Sequence, residues 1–104
     1  MSTRAQMLQQ FLAENPNDAF ARYGLAMEYR NAGDTEAALR EFGALIQANP
    51  DYTAAYFMAA QTLASAGRND EARQQLKAGI ASADRTGNQH AKSEMSAMLE
   101  ELGG

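Results

Sequence analysis

The pair Asn15-Pro16 returns 34 residues later as Asn49-Pro50, and the stretch between the two pairs returns after the second in diluted form. At that shift Ala21 meets Ala55, Ala26 meets Ala60, Ala32-Gly33 meets Ala66-Gly67, and Ala38 meets Ala72. Ala44 likewise meets Ala78, and Ile46 meets Ile80. Six of these seven matched residues are Ala or Gly, so what repeats is smallness, at places where two backbones must come close. A period of this length marks a stacked helical array, in which each unit buries its apolar face only against its neighbours. Arrays of this kind present surfaces and rarely perform chemistry.

The breakers divide the chain. Pro16 and Pro50 each end a helical pattern, because proline lacks the N–H and restricts the residue before it. Gly33 and Gly67 fall where a helix should close in a left-handed conformation. After them come Asp34-Thr35-Glu36 and Asn69-Asp70-Glu71, which offer side-chain acceptors and negative charge to a new helix N-terminus. Asp18 and Asp51 take the same part after the prolines, and Glu36 with Arg40 has the spacing of an i,i+4 pair. The spacing predicts helices over 3–14, 18–31, 35–48, 52–65, 69–83 and 89–102, the last preceded by a loop from Asp84 to Asn88. Connections this short make sequential helices antiparallel neighbours.

Leu25, Ala26 and Tyr29, then Ala38, Phe42, Leu45 and Ile46, recur three or four residues apart, which gives one apolar stripe per helix. Leu8, Phe11 and Leu12 read as inward-facing on the first helix. On the last helix Met95, Met98, Leu99 and Leu102 face Leu76 and Ile80 of the fifth. Gly79, inside that fifth helix, costs about 1 kcal/mol in propensity and so marks where the closing helix comes close. The expected fold is all-α: a single domain over 1–104, stacked as antiparallel hairpins. Its parts are a half unit at 3–16, repeats at 17–50 and 51–84, a capping helix at 88–102 and a tail at 103–104.

Composition narrows function mainly by exclusion. The net charge is −4 with no run of Lys or Arg, which argues against nucleic acid, since phosphate neutralisation needs clustered cations. No apolar stretch approaches the roughly 20 residues of a bilayer span. The start Met1-Ser2-Thr3-Arg4-Ala5-Gln6 lacks the apolar region of a leader, so the cytoplasm is the default expectation. The absence of cysteine removes disulfides, thiolate metal sites and cysteine nucleophiles. His90, the one histidine, stands at a helix start with no nucleophile beside it, and neither Ser65 nor Ser82 has a base placed for it. No enzyme activity, cofactor, metal or small-molecule substrate is expected.

These residues together resemble the tetratricopeptide repeat family, whose unit is a hairpin of helix A and helix B. In the first unit Leu25, Ala26 and Tyr29 stand where the family places its helix A trio of Leu, small residue and aromatic. Gly33, Ala38, Phe42 and Pro50 match the turn glycine, the small and aromatic residues of helix B and the closing proline. Tyr56, Ala60, Leu63, Gly67, Ala72 and Leu76 fall on signature positions of the second unit. There are departures: Arg22 replaces the helix A aromatic of the first unit, and Ala59, Gly79 and Asp84 replace a Leu, an Ala and the closing proline of the second. The resemblance covers essentially the whole chain, with Arg4 to Pro16 fitting helix B of a preceding half unit.

The resemblance implies that the A helices line a concave side. There the first A helix would show Phe20, Tyr23, Gly24, Met27, Arg30 and Asn31, and the next Ala54, Phe57, Met58, Gln61 and Ser65. A solvated face has no reason to hold Phe20, Tyr23, Met27, Phe57 and Met58, and methionines with aromatics suit adaptable peptide binding. Candidate contact residues are therefore Phe20, Tyr23, Met27, Arg30, Phe57, Met58 and Gln61. The alternative is that several of them pack against the N-terminal helix or one another. Some family members grip a C-terminal carboxylate with Lys, Asn and Arg; here those positions hold Tyr23, Met27 and Met58, with Lys92 or Glu94 at the remaining one. The implied ligand is instead apolar with a basic end, to suit Glu94, Glu100 and Glu101. The expected function is thus a non-catalytic interaction module for a protein or peptide, or else a homodimerisation or docking element using the same face.

Overall fold

Asp18 sets the first corner of the fold. Its carboxylate accepts the N–H of Ala21 at 2.9 Å, which caps the helix that follows and fixes its phase. The computed structural model describes residues 3–104; Met1 and Ser2, on which part of the leader expectation rests, lie outside them. Six helices follow in order: α1 Thr3–Glu14, α2 Ala19–Asn31, α3 Thr35–Ala48, α4 Thr53–Ser65, α5 Asn69–Thr86 and α6 Gln89–Glu101. No strand occurs among the described residues. Each helix packs on the next and α4 also touches α6, giving a stack 38 Å long. The fold is the all-α helical repeat that the period required.

The helix ends agree with the sequence in part. Asp34 caps α3 through the N–H of Ala37, at 3.3 Å. After Gly33 and Gly67, at φ 81° and 77°, the next N–H reaches back to the carbonyls of Tyr29 and Leu63, at 2.9 Å in each case, which satisfies end carbonyls in the expected way. Asp51 and Asn69 do not cap: α4 and α5 begin after Tyr52 and Arg68, and neither start has a side-chain capping bond. Asp51 instead accepts from Arg85 Nε at 3.1 Å. Arg85 is within reach because α5 runs to Thr86 rather than 83. With Asp84 in place of a proline nothing stops the helix until Gly87, at φ 69°. Glu36 meets Arg68, at 2.5 Å, rather than Arg40.

Three apolar clusters run along the stack. Leu12, Ala21 and Leu25 join α1 to α2. Phe42, 1% exposed, centres the second cluster with Ala26, Ala38, Leu45 and Ala59. Tyr56, Leu63, Leu76 and Met95 form the third, under α6. Gly79 is buried between two neighbours: a Cβ there would stand 2.5 Å from the Met95 sulfur and 2.6 Å from the Tyr56 Cβ. The close approach read from its position is real. One inward assignment is corrected. Phe11 is 45% exposed, because among the described residues α1 packs substantially on α2 alone and Phe11 lies toward the less covered side.

Candidate functional site

With its phase fixed by Asp18, α2 sends Ala21 and Leu25 toward α1 and Ala26 toward α3. The remaining edge of the helix carries Phe20, Tyr23, Met27 and Arg30. Phe20 is 78% exposed. Tyr23 is half-buried: its ring meets Phe42 edge-on at 6.2 Å and lies 5.5 Å from the ring of Tyr52. Burial, with the neighbouring Tyr52 phenol, pushes the Tyr23 phenol above its ordinary pKa, against an opposing pull from Arg30. Burial and Asp18 push Tyr52 the same way. Both hydroxyls therefore stay neutral at physiological pH and act as hydrogen-bonding tips on apolar bodies.

On α4, Phe57 and Met58 are neighbours in sequence, so about 100° of helix separates them. Met58, like Tyr23 and Met27, packs against the cluster that holds Phe42, whereas Phe57 packs against the cluster that holds Tyr56 and Met95. Gln61 Oε1 accepts from Arg30 at 3.3 Å, tying α2 to α4. Tyr23, Met27 and Met58 thus border one cluster, and a hydrogen bond joins Arg30 to Gln61. Phe20 stands at the border, and Phe57 lies apart on the α6 side. Lys92 pairs with Asp84 at 2.7 Å and Glu94 with His90 at 3.1 Å. Glu100 and Glu101 are exposed.

A groove of about 410 Å³ opens between α1 and α2, lined by Leu8 and Phe11 on one side and Phe20, Tyr23 and Met27 on the other. Gly24 floors it, where a Cβ would meet Leu8 at 3.5 Å, an ordinary contact. Arg4 and Glu28 stand at its rim, 3.6 Å apart. Leu8 and Phe11 are lining residues that the sequence did not assign, since both read as core. The signal available was the spacing on α1, where Met7 and Phe11 sit off the face that holds Ala5 and Leu12. What lines the groove offers contact area and hydrogen bonds.

Comparison with known proteins bears on this arrangement. Two family models, both described as tetratricopeptide repeat, match residues 29–93 and 7–40. A TPR repeat-containing protein of Pseudomonas aeruginosa is 32% identical over 95 residues, covering 91% of this chain and 90% of that one. Among solved structures, a tetratricopeptide repeat domain protein of Salinibacter ruber superposes with a TM-score of 0.79 at 30% identity, over 84% of this chain and 88% of that one. PcrH, solved in complex with the chaperone binding region of PopD, superposes with a TM-score of 0.88 over 94% of this chain and 74% of that one. At 21% identity PcrH speaks to the fold alone.

Proposed function

The chain belongs to the tetratricopeptide repeat family, and from that premise we propose that it is a non-catalytic interaction module holding a peptide or protein segment against the face of α2 and α4. The observation that carries this reading is the uncovered edge of α2. Phe20 stands 78% exposed beside half-buried Tyr23 and Met27, and apolar area of that kind on a small domain marks a binding surface. Met58 continues the surface on α4, and the Arg30–Gln61 pair supplies polar groups that a ligand backbone can share. Phe57 extends the contact toward α6, where Glu94, Glu100 and Glu101 favour a segment with a basic end. That PcrH is solved with a segment of another protein supports the reading as an example of what this fold can hold.

The test uses peptides selected from a random display library on the intact chain. The variant Phe20→Ser/Met27→Ser, whose changes lie at exposed and half-exposed positions, should bind the selected peptides at least about tenfold more weakly, as expected when apolar anchors are lost. Its helical circular dichroism should be retained. Peptides that bind the folded variant as well as the parent chain would place binding on another face.

A further inference from the structure

α1 turns toward solvent a stripe that the core leaves unused. Ala5 and Leu12 are buried, while Arg4, Met7, Phe11 and Glu14 follow one another at steps of three, four and three residues and so share one side of the helix. Met7 is 64% exposed; with Phe11 and Phe20 it completes the set of exposed large hydrophobics among the described residues. All three lie at this end of the stack. The far end is finished differently, with α6 burying Met95 and leaving Glu94, Glu100 and Glu101 outward. An array whose units are stable only through neighbours should not leave one end apolar.

The repeat indicates what covers that end. In the first repeat α2 packs against Phe42, Leu45 and Ala55. One period of 34 residues earlier, the same positions are Leu8, Phe11 and Ala21, and these line the groove between α1 and α2. The groove is therefore the seat of a helix lying antiparallel to α1, as α2 lies to α3.

We propose that this seat is filled by α1 of a second copy of the chain, packed antiparallel about a two-fold axis. The stripe is its own complement. Because the steps three, four, three read alike in both directions, antiparallel pairing sets Met7 against Phe11 of the partner subunit and Arg4 against Glu14 of the partner subunit, each twice. Isologous contact of this kind closes on itself and builds no fibre. The charges point the same way. Arg4 sits in the first turn of α1 and Glu14 at its last residue, each with the sign that the helix dipole disfavours, and the antiparallel neighbour offers each an opposite charge. The Arg4 side chain, 71% exposed at its 3.6 Å contact with Glu28, is accessible for that pairing. The proposal goes beyond the peptide-binding reading. The seat shares Phe20, Tyr23 and Met27 with the peptide face, so a peptide and the second copy compete there. Met7 lies off that face, and Met7→Glu removes the dimer while leaving peptide binding, so the two can fail separately.

Sedimentation equilibrium of the whole chain tests it. A mass of twice 11.3 kDa is expected, with a dissociation constant of micromolar order for so small an interface. Met7→Glu should give monomer with unchanged helical content. Arg4→Glu alone and Glu14→Arg alone should each weaken the dimer about tenfold or more, by setting like charges together at two places. An equimolar mixture of those two variants should return to dimer mass, since each then meets its opposite. A parent chain that stays monomeric up to about millimolar concentration overturns the proposal. So does a dimer that Met7→Glu leaves intact, or a mixture that fails to recover.

Discussion

Gly79 is the residue at which packing and propensity pull hardest against each other. Alanine in its place would gain about 1 kcal/mol of helix propensity. It would also drive a methyl group to within 2.5 Å of the Met95 sulfur and 2.6 Å of the Tyr56 Cβ. The Met95 end can swing aside, but Tyr56 Cβ is fixed to the α4 backbone, and overpacking of this kind costs about 1–3 kcal/mol. Gly79→Ala should therefore lower the melting temperature, and a rise would mean that α5 and α4 are further apart than they stand here. The sequence exposed this position because a glycine inside a strong helix pattern needs a reason. It did not expose Phe11. Periodicity gives the phase of a helix, but not whether a neighbour exists on each side, so Phe11 read as core although no helix covers it. Tyr23 shows the opposite limit: it read as surface, yet its ring packs on Phe42 and Tyr52, so changes there act on stability as well as on binding.

Elements join through their corners as much as through their faces. Arg68, at the turn before α5, reaches Glu36 of α3 at 2.5 Å and Glu71 of α5 at 2.9 Å, linking one repeat to the next. The hydrogen bond from the Arg68 guanidinium holds the Glu71 carboxyl below its usual range, against an opposing effect of desolvation. A carboxyl so lowered contributes stability above its unfolded pKa and loses it as pH falls through the lowered value. The charges are exposed and open to screening, so Arg68→Ala should lower the melting temperature in dilute buffer and change it little in molar salt. Equal loss in both would mean that Arg68 acts through packing instead. Helix starts and stops were legible where Gly, Pro or Asp ruled alone, as at Asp18, Asp34 and Gly33. They were misread where a distant partner intervened: Arg85 takes the Asp51 carboxylate, and only the three-dimensional corner puts it there. The closing helix makes a sharper test of element coupling. Deleting residues 88–104 would bare Leu76, Ile80 and Gly79, and the remaining chain should aggregate or lose cooperative unfolding. A shortened chain that melts as sharply as the parent would make α6 an appendage.

The whole molecule is a short array with two unlike ends and one apolar edge along its A helices. Its architecture was legible because a 34-residue period of small residues leaves few ways to bury an apolar face. Its candidate site was legible only in outline. Tyr23, Met27 and Met58 pack against the cluster around Phe42 and Phe57 against the cluster under α6; neighbouring residues on a helix point about 100° apart, and the repeat does not say which of two such residues a partner meets. The most direct test of the account is an amide chemical-shift map of the labelled chain as it is saturated with a library-selected peptide. The largest shifts should follow one line from Phe20 through Met27 and Arg30 to Met58 and Gln61, with α3 and α5 nearly silent. Shifts concentrated instead on the outer face of α3 and α5, around Leu39, Gly43 and Gln75, would contradict it.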